Sequence, residues 1–205
     1  MSLAGIVLAA GRSARMGSPK ALLDFRGEPF VTRVLEALEA LDLKTRVLVV
    51  GPGPEAQEIR LAVARHDVHV VENRDVEGGP IASLRVGLAA VQALAPAGVL
   101  VWPVDLPHVR VDTVDRLLEE FRRHHPFAVV PRFGSRRGHP IVWGQPAFAE
   151  LAESEEATRE GARAVLHRHE SEVTEVPVDD PAVIDDLNTR EDYERLVREI
   201  NRDAY

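Results

Sequence analysis

The amino-acid sequence predicts an α/β protein of three layers, with helices on both faces of a mostly parallel, twisted sheet. Three observations predict it. Short apolar runs rich in β-branched residues alternate with stretches of helical period over residues 1–125. The runs are apolar almost throughout, as strands covered on both faces are. They end in Gly, Pro, Asn or Asp, which stop strands and open loops. The rhythm breaks after residue 126, where a small β-containing excursion is expected. The length of 205 residues fits a single domain over residues 1–205.

The elements follow in order. Leu3–Ala9 is a buried strand running into a Gly/Ser/Arg loop. Val31–Leu43 places Val34, Leu35, Leu38 and Leu41 on one helical face. RVLVV, Arg46–Val50, is a strand stopped by Gly51, Pro52 and Gly53, and Glu55–Arg65 reads as a helix. Val68–Val71 is a short strand, and Ile81–Leu94 a helix behind the turn Gly78, Gly79, Pro80. Val99–Val104 is a strand with Pro103 near its end, where a missing N–H is tolerated. Val111–His124 is an amphipathic helix. Ala128–Val130 and Ile141–Trp143 are strands around the basic turn RFGSRRGHP. Helical stretches around Ala147–Ala152 and Gly161–His169, a strand Val173–Val178 and a helix Thr189–Arg202 complete the pattern. The excursion is expected to cover a site at the sheet's C-terminal edge, where open α/β sheets bind ligands.

Composition excludes several classes. There are no cysteines, so disulfides, thiolate nucleophiles and cysteine-bound zinc are out. The formal net charge is −8 with no basic block, which argues against nucleic acid as a partner. No apolar run approaches the length of a membrane span. The apolar start lacks a basic n-region and is cut short by Arg12, so it reads as a first strand rather than a signal peptide, and a cytoplasmic location is expected. Among the 25 basic residues only Lys20 and Lys44 are lysines. A lysine at position 20 supplies a compact point charge where this chain otherwise writes the planar fork of arginine.

The loop after the first strand, Leu8 to Lys20, reads LAAGRSARMGSPK. Gly11 and Gly17 permit a tight path, and successive amides of such a loop can bind an anion. Arg12, Arg15 and Lys20 add three cations, so the loop reads as a polyphosphate cradle. It is neither a P-loop, since Met16 stands where the second Gly is needed, nor a dinucleotide fingerprint, since Arg12, Ser13 and Ala14 follow Gly11. Asp105 follows an apolar strand and faces the crevice, where a carboxylate suits Mg2+.

LAAGRSARMGSPK resembles the LAAGxGxRMGxxK signature of nucleotidyltransferases that make nucleotide-diphospho sugars and related compounds. The likeness is greatest to the molybdenum-cofactor nucleotidyltransferases of the MobA-like fold, in particular their cytidylyltransferase branch. NRDVEGGPIASL (Asn73–Leu84) is similar to the family's base-recognition segment, and VDLP (Val104–Pro107) to its metal-aspartate turn. GHP (Gly138–Pro140), GARAVL (Gly161–Leu166) and DLNTREDY (Asp186–Tyr193) resemble later motifs in the family's order.

The resemblance implies a Rossmann-like nucleotidyltransferase that moves NMP from an NTP, with Mg2+ as cofactor, onto the phosphate of molybdopterin, releasing pyrophosphate. It implies nucleotide contacts from Leu8, Ala9, Ala10, Gly11, Arg12, Ser13, Arg15, Met16, Gly17 and Lys20, and from Asn73, Gly79 and Ser83. Lys20, Arg15 and Asp105 would be catalytic. Asp105 and Asn188 would hold the metal, with Asp185 and Asp186 able to substitute for Asn188. His139 and Arg137 would meet the phosphorylated pterin acceptor, with molybdoenzymes or their chaperones as further partners. The second alanine of LAAG and the pattern SLxxGL (Ser83–Leu88) favour CTP; Gly79–Pro80 leans toward the guanylyl branch. A sugar-1-phosphate acceptor, or a nucleotide-binding regulatory or delivery protein with little turnover, are the alternatives.

Overall fold

The computed structural model describes residues 2–11, 19–75 and 77–203, with side chains through residue 199. Strand β1 (Leu3–Ala9) leads through a 3-10 turn at Lys20–Leu22 and a hairpin of β2 (Asp24–Phe25) and β3 (Glu28–Pro29) into α1 (Phe30–Ala40). The rhythm continues with β4 (Thr45–Val50), α2 (Pro54–Ala62), β5 (His69–Glu72), α3 (Gly79–Val91), β6 (Gly98–Pro103) and α4 (Val111–His124). Then come β7 (Ala128–Phe133), β8 (Arg136–Arg137), β9 (Ile141–Gly144), α5 (Phe148–Glu153), α6 (Glu155–Glu160), α7 (Ala162–Arg168), β10 (Val173–Pro177) and α8 (Arg190–Asp203).

The main sheet has the order β10-β7-β9-β6-β1-β4-β5, with β8 paired to β7. β1 lies between β4 and β6, parallel to both, and β5 extends the parallel run beyond β4. β9 is antiparallel to β6 and to β7, and β10 is parallel to β7. The excursion after residue 126 widens the sheet with β7, β9 and β10, and it also lines a cavity with His139, Ile141, Trp143 and Ala162.

Alternation along β1 explains the two cores. Leu3, Val7 and Ala9 join a cluster with α1, α2, α4 and α8, through residues such as Leu35, Ile59, Leu117 and Leu196. Ala4 and Ile6 join the opposite cluster with α3, α5, α6 and α7, through Leu84, Leu151, Ala157 and Val165. Both faces are covered, as the unbroken apolar runs predict.

Differences from the sequence reading are local. The second helix stops at Ala62, three residues early, and the third passes after Val91 into a 3-10 turn at Gln92–Leu94. The hairpin of β2 and β3 was invisible because each strand has two residues, too few to show a period. Helix α6 is polar on most faces and is announced only by its cap, where Ser154 Oγ accepts from Ala157 N at 3.2 Å. Among the described residues no helix is long and apolar enough to cross a membrane.

Candidate active site

The C-terminal ends of the parallel strands open into a cavity of about 560 Å³. Leu8, Ala9, Ala10 and Gly11 line it from the end of β1, Asn73 from beyond β5, Gly79 and Ser83 from the first turns of α3, and Asp105 from beyond β6. Lys20, His139, Asp186 and Asn188 also line it. Arg12, Ser13, Arg15, Met16 and Gly17 lie outside the described residues.

Asp105 sits just past β6. Val104 N donates to Leu8 O at 3.0 Å, which carries the pairing with β1 one step beyond the strand. Trp102 Nε1 donates to Leu106 O at 3.0 Å, and Leu106 is fully buried, so the turn is anchored on both sides of the carboxylate. Leu187 N donates to Asp105 O at 3.4 Å, bringing the segment before α8 alongside. In that segment Asn188 N and Thr189 N donate to Asp192 Oδ2 at 3.1 and 2.8 Å, while Asp192 N donates to Thr189 Oγ1 at 3.2 Å. This reciprocal cap starts α8 and fixes the Asn188 backbone. The Thr189 hydroxyl and these amides hold the Asp192 carboxyl below its ordinary pKa.

Lys20 joins the two. Its Nζ donates to Asp105 Oδ2 at 3.0 Å and to Asn188 Oδ1 at 2.9 Å. A carboxylate oxygen and an amide oxygen from distant parts of the chain thus converge on one cation. These are hard donors of the kind that bind Mg2+ or Mn2+. Among the described residues no group of three or more His, Cys, Asp or Glu could hold a metal alone, so a divalent ion here would draw further oxygens from substrate and water.

Asp186 adds a second carboxylate. Burial first, then the charge of Asp105, pushes its pKa above the ordinary carboxylate value, against the pull of His139 and Lys20. His139 is held in place by its own backbone: His139 N donates to Val183 O at 2.8 Å, and its peptide bond to Pro140 is cis. The preceding Gly138 is required there, because a Cβ would sit 2.1 Å from Val183 O. Burial lowers the His139 pKa, opposed by Asp186 and Asp105, and Nδ1 is buried with no hydrogen-bond partner.

Asn73 is 2% exposed, and its amide is already committed. Nδ2 donates to Asp75 O at 3.1 Å and to Ser83 Oγ at 3.0 Å, while Oδ1 accepts from Asp75 N at 2.9 Å. Ser83 Oγ, having accepted this hydrogen bond, keeps its own O–H for donation. Asn73 therefore braces the wall, and Ser83 carries the available donor. Gly79, at φ +69°, lets the chain turn into α3 at this point.

Arg137 stands apart from the other expected site residues. It does not line the cavity: β8 pairs with β7, and Arg137 Nε donates to Glu175 Oε1 on β10 at 2.6 Å, with Nη2 donating to Glu170 Oε1 at 3.2 Å. These carboxylates raise its pKa, Glu175 most. Strand pairing carries it to the surface, although His139, two residues on, enters the cavity. Sequence reasoning missed the apolar wall of Val101, Ile141, Trp143 and Ala162. Its signal was the unbroken burial expected of β9, whose four residues are all buried.

The model of the MobA-like NTP transferase domain matches residues 5–173. The chain is 28% identical over 141 residues to a probable molybdenum cofactor guanylyltransferase of Pyrococcus horikoshii, covering 69% of this chain and 68% of that one. It is 32% identical to a 2-C-methyl-D-erythritol 4-phosphate cytidylyltransferase of Streptomyces coelicolor, over 90% and 73% of the two chains. It is 31% identical to nicotine blue oxidoreductase of Paenarthrobacter nicotinovorans, over 94% and 95%. The crystal structure of Rv0371c from Mycobacterium tuberculosis superposes with a TM-score of 0.80 at 30% identity, covering 97% of this chain and 98% of that one. The same protein has been solved in complex with manganese, with a TM-score of 0.75 at 28% identity over 97% and 99%.

Proposed function

This chain belongs to the MobA-like NTP transferase family and is a nucleotidyltransferase; we propose that it transfers CMP from CTP to the phosphate of a molybdopterin-type acceptor, releasing pyrophosphate. The observation that carries this reading is the convergence of Asp105 and Asn188 oxygens on the Lys20 ammonium within the cavity at the strand ends.

In this reading Asp105 and Asn188 would hold Mg2+, with Asp186 in the same cavity. Bound there, the ion would neutralise charge on the α-phosphate. An oxygen of the acceptor phosphate attacks the α-phosphorus, the bond to the bridging oxygen breaks, and pyrophosphate departs with the electron pair. The nucleophile is already an anion, so no side chain need take its proton. The barrier is the approach of two anions, and placed cations lower it. Lys20 serves as a point charge on the phosphates, joined in the proposal by Arg12 and Arg15. Leu8, Ala9, Ala10 and Gly11, together with Ser13, Met16 and Gly17 of the same loop, would contact the nucleotide in this reading.

Ser83 donates its hydroxyl proton to the base, with Asn73 and Gly79 shaping the wall. Cytosine O2 or N3 can accept there, as can guanine O6 or N7, so the choice of CTP rests on the LAAG and SLxxGL patterns. His139, kept neutral by burial, offers an uncharged ring to the acceptor. The wall of Val101, Ile141, Trp143 and Ala162 supports a flat heteroaromatic acceptor body. A sugar-1-phosphate would leave its hydroxyls unpartnered there. The product would pass to a molybdoenzyme or its chaperone.

Calorimetric titration with CTP, GTP, UTP and ATP in Mg2+, followed by pyrophosphate release with molybdopterin, tests the proposal. CTP is expected to bind at least about tenfold tighter than GTP, about 1.4 kcal/mol. The reverse order moves the chain to guanylyl transfer. Nucleotide binding without pyrophosphate release on any acceptor points to a delivery protein. NADH and FAD belong in the same titration because one relative is named as an oxidoreductase.

A further inference from the structure

We propose that Lys20 holds the metal's place: the Asp105–Asn188 pair admits a divalent cation only once nucleotide phosphates draw the Lys20 ammonium away, so the ion enters with the nucleotide and not before it. The inference rests on the nucleotidyl-transfer reading and concerns the order in which its parts assemble.

Four features carry it. The Lys20 nitrogen lies 3.0 Å from one proposed metal-binding oxygen and 2.9 Å from the other, so it fills the point on which both converge. An ammonium and a divalent ion cannot share that point, because like charges a few ångströms apart repel strongly at a part-buried site. Lys20 and Asp105 are only 17% and 21% exposed, so water screens the pair incompletely.

The backbones of all three residues are anchored, and Lys20 carries the longest and most adaptable side chain of the three. Asp105 is pinned through Trp102, Leu106 and Leu187, and Asn188 through Asp192. The Lys20 backbone is set in its 3-10 turn, where Leu23 N donates to Lys20 O at 3.1 Å. What remains adjustable is a four-carbon stem, which can swing while its backbone stays.

The donor set tilts the contest. Asn188 is neutral, and replacing a carboxylate by an amide oxygen costs a divalent ion more attraction than it costs a monovalent ammonium. Asp186 lines the same cavity and adds negative charge that a cation beside Asp105 offsets. Triphosphate changes the balance by offering Lys20 a more highly charged partner and the metal additional oxygens. The lysine that leaves then counters charge on those phosphates.

The test is Mn2+ binding to the full chain, read from the free-ion electron paramagnetic resonance signal, with no acceptor present. Wild type is expected to bind Mn2+ weakly alone and at least about tenfold tighter with the non-hydrolysable analogue α,β-methylene-CTP. Lys20→Met is expected to bind Mn2+ alone at least about tenfold tighter than wild type. Mn2+ should also raise the Tm of Lys20→Met more than that of wild type. Adding Asp105→Asn to Lys20→Met should abolish both effects. Should Lys20→Met fail to fold, Lys20→Gln reads the same quantities. If neither lysine variant binds Mn2+ tighter than wild type while the analogue still tightens wild-type binding, the place-holding idea is overturned and the transfer reading survives. If Asp105→Asn in the wild-type background leaves analogue-dependent Mn2+ binding intact, the metal assignment fails, and both fall.

Discussion

On one side of the cavity β1, β4 and β5 run parallel and end at a common edge; on the other, β9 runs against its neighbours β6 and β7. The difference decides how a residue reaches the site. In the parallel half each strand delivers its following loop to the same edge, so Gly11 after β1 and Asn73 after β5 line the cavity, as does Asp105 after β6. In the half containing β9, one turn sends its residues two ways. His139 enters the cavity, while Arg137 pairs along β7 and meets Glu175 and Glu170. Clustered charge in a sequence therefore says little about a site when a reversing strand sorts the residues.

Five substitutions, in four tests, can break or sharpen this contrast. The largest effect is expected at Asp105→Asn, at the end of β6. Turnover measured by pyrophosphate release should fall by about 10²–10³-fold or more, with circular dichroism unchanged. Near-normal turnover would remove the parallel edge as the catalytic one. Ala162→Phe narrows the wall beside β9. The KM for the acceptor should rise about tenfold while the nucleotide Kd stays put. Equal losses for both substrates would merge the two halves into one binding site.

A third test uses two histidines with opposite shifts. Glu172 and Glu150 raise the His169 pKa at the surface, whereas burial lowers that of His139 in the cavity. Stability from His169 is fully present below the unfolded value of about 6.5 and disappears as pH rises through its raised folded value. For His139 the sign is reversed: acidification below about 6.5 removes stability, because only the unfolded chain takes up the proton readily. Thermal melts across pH should show His169→Gln losing its deficit against wild type as pH rises. His139→Gln should be less acid-sensitive than wild type. Parallel pH curves for all three proteins would contradict both assignments.

The smallest effect is expected at Arg137→Ala. Its ion pairs are partly solvent-exposed, so stability should drop by no more than about 1 kcal/mol. Turnover should stay within about twofold of wild type, the experimental scatter for a surface site. A large rise in acceptor KM would bring Arg137 back to the substrate.

Much of the fold was legible because its signals are local. Leu3–Ala9 and Val111–His124 were read to the residue, since an unbroken apolar run and a strong helical period need no partner to be recognised. Lys20, Asp105 and Asn188 stood out as chemistry at loop positions, and the structure brings all three to one cavity. Asp186 was visible only as a neighbour of Asn188. Its role beside Asp105 depends on Leu187 docking against the β6 turn, a contact between segments 82 residues apart (187 − 105).

Taken alone, the amino-acid order determined which stretches are strands and helices, which loops leave the strand ends, and which residue types those loops carry. Tertiary structure decided that β9 runs backwards, that Arg137 faces away, that Asn73 leaves Ser83 the free proton, and that Lys20 bridges residues 85 and 168 positions further along the chain. The reason is physical. Hydrophobic period and turn chemistry act over a few residues, whereas strand direction and the meeting of distant charges follow from burying both faces of one sheet at once.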